Sequence, residues 1–74
     1  MTELRTHRSP AQAALAEWDA YPNAGAHVVR VTFEDEDHAI VVVDTVPSHP
    51  MWNYCERTPR GWVYTHDHDG PAIE

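Results

Sequence analysis

The four residues His66-Asp67-His68-Asp69 hold the densest chemistry in the chain. On a strand, side chains at i and i+2 point the same way. His66 and His68 can therefore bring two imidazoles to one metal ion, with the neighbouring carboxylates as hydrogen-bond partners behind them. A third ligand would come from His49, His27, Cys55 or Glu56, and no spacing chooses among them. The competing reading is a solvated strand end. Trp52, Tyr54, Trp62 and Tyr64 form a second group. They can wall a pocket for a small apolar or aromatic ligand, form a dimer interface, or fill a core through cross-strand pairs. For acid–base work the candidates are Tyr54, Glu56, Asp44 and His66. Cys55 can be a nucleophile beside a histidine, or inert packing in an apolar strand. Glu34-Asp35-Glu36-Asp37 lacks the glycine and the spacing of an EF-hand loop and reads as a solvated turn. No glycine-rich phosphate loop or serine nucleophile motif is present, and no cofactor is implied.

Composition bounds these options. The chain has 74 residues and a net charge of −7 from five Arg and twelve acidic residues, which allows one domain. The Arg are spread along the sequence and Lys is absent, an unfavourable composition for neutralising phosphates, so nucleic acid is not an expected partner. Missing Lys in an Ala-, Arg- and Asp-rich chain points to a high-GC bacterial genome. The acidic balance suits solubility or a basic protein partner. No apolar run approaches the roughly 20 residues of a membrane span. No signal-peptide pattern opens the chain, so no membrane association and a cytoplasmic location are expected. One cysteine gives no internal disulfide. Protonating all six His would move the charge from −7 to about −1, so solubility should fall in mild acid.

The elements that must position these residues are an N-terminal helix and four strands. Residues 1–8 read as a flexible arm and 9–74 as a single small α+β domain. Ser9 caps a helix, with Pro10 at its first position and Gln12 three past the cap. Ala11, Ala14, Leu15 and Trp18 form its buried stripe, and Tyr21-Pro22-Asn23-Ala24-Gly25 ends it. Residues 26–33, 38–46, 51–57 and 62–68 read as strands separated by turn signals. The predicted fold is α+β: one helix packed on a four-stranded antiparallel β-meander.

Register decides which side chains share a face. A four-residue first turn sets Val31 opposite Ile40 and Val29 opposite Val42. A second loop over 47–50 and a three-residue third loop with Gly61 at a bulge then put Trp52, Tyr54, Trp62, Tyr64, His66 and His68 on one face with Val41 and Val43. Met51, Cys55 and Val63 fall on the other. Ile40 to Val43 are consecutive apolar residues, so both faces are apolar, and one short helix covers only one. The second face calls for cover by a second subunit, a ligand or a partner, or by curling of the sheet and the N-terminal arm.

The order of helix, long strands and a hairpin reading Arg57-Thr58-Pro59-Arg60-Gly61-Trp62-Val63-Tyr64 resembles the C-terminal part of the nuclear transport factor two-like superfamily of cone-shaped α+β proteins. The likeness covers residues 26–68. It implies a curved sheet with a pocket or a dimer-forming face. Members carry more N-terminal helices than fit here, and their catalytic positions match none in this chain. The expected function is a non-catalytic accessory or binding protein that forms a homodimer through an aromatic sheet face. The alternatives are a small-molecule-binding protein or small enzyme with an aromatic pocket, and an acidic immunity-type or inhibitor protein.

Overall fold

A computed structural model describes residues 6–70. Helix α1 spans Pro10–Trp18, a 3-10 turn covers Pro22–Ala24, and the strands are β1 His27–Asp35, β2 His38–Asp44, β3 Met51–Thr58 and β4 Gly61–Asp69. The strands form one antiparallel sheet in the order β1-β2-β3-β4, with the single helix packed across it. The helix-on-meander architecture is the one the sequence predicts. Of the expected arm, residues 1–5 lie outside the described residues. His7 is tied down: its N–H donates to the Trp62 carbonyl at 2.9 Å and its carbonyl accepts from the Trp62 N–H at 2.7 Å. Gly61 permits this approach, because a Cβ there would stand 2.7 Å from the His7 carbonyl oxygen.

The helix starts as its sequence dictates. Ser9 is extended, and its Oγ accepts the Gln12 N–H at 3.2 Å. The Gln12 side chain reaches one residue further back than in a standard capping box and accepts the Arg8 N–H at 3.1 Å. The buried stripe is rotated from the expected one. Pro10, Ala13 and Ala14 are buried, whereas Ala11, Leu15 and Trp18 are half-buried. Small side chains at 13 and 14 let the helix lie close on Ala39, Val41, Val43, Cys55 and Trp62, which complete the core.

Three register differences rearrange the predicted faces. Pairing in the first hairpin runs on to Asp35↔His38, and Val31 opposes Val41 and Arg30 opposes Val42, with irregularities after Val28 and Phe33. In the second, Val43 opposes Met51. That loop is longer than residues 47–50 because the Asp44 carboxylate gathers it, accepting from Thr45 N, His49 N and Ser48 Oγ at 2.8–3.1 Å. In the third, Thr58 opposes Gly61 across the two residues Pro59-Arg60, and a bulge at Thr65 separates Cys55↔Tyr64 from Tyr54↔His66.

Candidate functional site

The bulge at Thr65 builds the site. Before it, even-numbered residues of β4 face the helix; after it, they face away. His66 therefore joins the row Thr32–Ile40–Tyr54, and His68 the row Arg30–Val42–Trp52, on the face opposite α1. The Thr65 hydroxyl donates to the Tyr54 carbonyl at 2.9 Å, so it accepts from His66 Nδ1 at 3.0 Å. The rings then interleave. Tyr54 stacks on His66 with centroids 4.6 Å apart and planes 6° from parallel, and lies 5.3 Å from His68. Trp52 and His68 are 5.9 Å apart. The Asp69 carbonyl, 2.7 Å from His68 Nδ1, can only accept, so that nitrogen carries the proton; the Tyr54 hydroxyl donates to Nε2 at 2.9 Å.

The structure thus brings together Trp52, Tyr54, His66 and His68 and separates them from the other four residues of the expected set. Trp62, Tyr64, Val41 and Val43 lie on the helix side. Val41 and Val43 are fully buried, and Trp62 is 7% exposed with Phe33 edge-on at 5.7 Å. The extra residue Thr65 reverses alternation between Tyr64 and His66, which is why a uniform count along β4 misplaces Trp62 and Tyr64. Likewise Met51 and Cys55 face the helix, whereas Val63 belongs with the open face.

Of the acid–base candidates, Tyr54, Glu56 and His66 share the open face, whereas Cys55 and Tyr64 lie on the helix side. The Asp44 carboxylate is occupied by its own loop. Burial pushes its pKa up, but the Thr45, His49 and Ser48 donors outweigh this and hold it below the usual value. The Cys55 thiol donates to the Pro10 carbonyl and is pushed up to about 11 by burial, which keeps it protonated. Tyr64 is pushed above its ordinary value by burial and by donating to Asp67. His66 leaves only Nε2 free for a metal, and His68 Nε2 is already bonded to Tyr54. Among the described residues, no group of three or more His, Cys, Asp or Glu is placed to hold a metal ion.

Two clefts flank the C-terminal end of α1. One of about 310 Å³ is lined by Leu15, Trp18, Asp19, Tyr21, Pro22 and Ala26. The other, about 380 Å³, lies between Glu17, Trp18, Tyr21, Met51 and the paired His49 and Asp69. Their shared wall is the Trp18–Tyr21 pair, with centroids 5.7 Å apart. Asn53 fixes that wall. It is fully buried, accepts the Trp18 indole N–H at 3.1 Å and donates to the Val41 and Met51 carbonyls. Sequence reasoning passed over Asn53, since a polar residue within a strand reads as solvent-facing.

Fold and site together define a class: a lone helix on one side of an antiparallel meander, with aromatic and imidazole rings on the other. Comparison with known proteins gives no matching family model, curated protein or solved structure. Among the described residues no helix is long and apolar enough to cross a membrane.

Proposed function

We propose that this chain is a non-catalytic accessory or binding protein that self-associates through the open sheet face. The observation that carries the reading is the ring layer of Trp52, Tyr54, His66 and His68 beside Ile40, on the face that α1 leaves bare. The molecule measures 35 × 28 × 17 Å. A broad face of that outline is large enough for the roughly 800 Å² per partner of a standard interface. A second copy presents the same surface, and an isologous pair closes without leaving a further face open.

Sedimentation velocity and native mass spectrometry over a concentration series test this. The untagged chain should run as a dimer with no added mass. Tyr54→Ala and Trp52→Ala should weaken assembly by more than about tenfold, since aromatic anchors dominate interface energetics. Tyr21→Ala, at the far cleft, should leave assembly unchanged. A well-dispersed monomer at the highest concentration defeats the reading. The runner-up, a small-molecule-binding protein, is favoured by the cleft of about 380 Å³ beside Trp18 and Tyr21. A monomer carrying a constant extra mass would favour it.

A further inference from the structure

Arginine is this protein's only strongly basic side chain, and the fold gathers three of its five. Arg8 precedes the helix, Arg57 ends β3 and Arg60 sits in the β3–β4 turn. The His7–Trp62 bridge brings the first segment against the other two. A cleft of about 460 Å³ results, lined by Thr6, His7, Arg8, Arg57, Thr58 and Arg60 among others, and among the described residues no carboxylate lines it. That volume lies within the range of roughly 300–1,000 Å³ common for small-molecule sites.

Among the described residues one arginine is paired with an acid: Arg57, whose Nε and Nη2 each stand 3.1 Å from Asp37 Oδ1. Arg8 and Arg60 and, outside the cleft, Arg30 form no ion pair among the described residues. The guanidinium groups of Arg8 and Arg60, that of Arg57 held from one side, the His7 imidazole and the Thr6 hydroxyl supply donors alone or donors that also accept, while the Thr58 hydroxyl is spent on the Gly61 carbonyl. Planar guanidinium forks suit the paired oxygens of a phosphate group. We propose that this cleft binds the phosphate group of a small phosphorylated molecule. The rest of the surface selects small anions over long ones. An extended polyanion would run onto a molecule whose net charge is −7, whereas a single phosphate group meets only the local positive field.

The test is an amide-resolved NMR titration of the full chain with inorganic phosphate and with glycerol 2-phosphate, at low and high sodium chloride. Both probes should give saturable shifts confined to residues 6–8 and 57–62, weakened by salt. A tighter response to the ester would mark an organic phosphate as the source, and an equal one free phosphate; either outcome supports the site. Arg8→Gln and Arg60→Gln should each weaken binding by about tenfold. Both positions are exposed, and unchanged shifts elsewhere would show each variant folded. Asp37→Asn should act the other way. It frees Arg57 and should tighten binding about threefold, a gain that a nonspecific charge effect confined to Arg8 and Arg60 would not produce. Absence of saturable shifts, indifference to Arg60→Gln, or preferential binding of a single-stranded oligonucleotide overturns the proposal. None of these outcomes depends on the oligomeric state.

Discussion

Replacing Asn53 should unfasten the helix from the sheet. The side chain is 0% exposed and makes three hydrogen bonds, one to Trp18 and two to the Val41 and Met51 carbonyls. Each is worth about 1 kcal/mol net. Trp18 is half-buried, so its freed N–H can reach water and the loss there is partial. The void left by the carboxamide adds to the cost. Asn53→Ala should therefore lose about 2–3 kcal/mol. A chain of this length has a total stability of roughly 4–11 kcal/mol, and the loss corresponds to a fall in Tm of roughly 10–20 °C. Asn53→Asp should be worse at neutral pH and should differ in kind. The new carboxylate would sit buried against two carbonyl oxygens, and its pKa would rise on folding. A raised acid stabilises below its unfolded pKa of about 3.9 and loses that contribution as pH rises. The deficit of Asn53→Asp should therefore grow with pH, whereas that of Asn53→Ala should stay flat. Thermal melts by circular dichroism across pH would read both. An Asn53→Ala loss under about 0.5 kcal/mol, within the range of surface substitutions, or a pH-independent deficit for Asn53→Asp, would refute the reasoning.

Two further predictions concern titration. Cys55, with a thiol pushed up to about 11, should be about one part in a thousand ionised at pH 8. Its modification by a thiol reagent should then follow the opening of the fold; rapid labelling of the native protein would contradict this. His38 is raised above 6.5 by its hydrogen bond to Asp35, partly opposed by desolvation. A raised histidine stabilises below its unfolded pKa and loses that contribution as pH rises through its folded value. The Tm gap between the wild type and His38→Gln should accordingly be larger at about pH 5.5 than at about pH 8.5. An equal gap at both values would show that the pair contributes nothing to stability.

What the sequence reveals is what short stretches decide. Ser9, Pro10 and Gln12 announce the helix start because capping is local, and the apolar runs between turn signals give four strands in the right order. The grouping of Trp52 and Tyr54 with His66 and His68 is legible in part, since each pair shares parity within its own strand. Loop lengths and bulges carry no such mark. Thr65 is an ordinary strand residue, and only its pairing against Tyr54 and Cys55 makes it the extra one. The long second loop depends on one carboxylate, Asp44, reaching as far as the His49 N–H. Asn53 and the arginine cleft are tertiary facts. A buried polar group is explained only by partners on other elements, and Arg8 stands about fifty residues from Arg57 and Arg60 in the chain.

The charges around α1 run against its dipole, and this gives a final prediction with a sign that packing alone does not supply. A helix end carries about half a unit charge, positive at the N-terminus, and opposite charges there stabilise by about 0.3–1 kcal/mol. α1 has no acidic residue in its first turn and no basic one in its last. Arg8 instead stands just before the start, while Glu17 and Asp19 stand at the end. Sequences set such local preferences aside mainly where function asks for it. A positive side chain beside a positive helix end is what a phosphate site uses. Arg8→Glu should then raise stability while abolishing the phosphate response. The backbone N–H that binds Gln12 remains, so the cap is kept. The expected gain is about 0.5–1 kcal/mol, a few degrees in Tm. A drop in both stability and binding would make Arg8 a structural residue. Higher stability with an unchanged phosphate titration would remove it from the site and leave its position at the helix start unexplained.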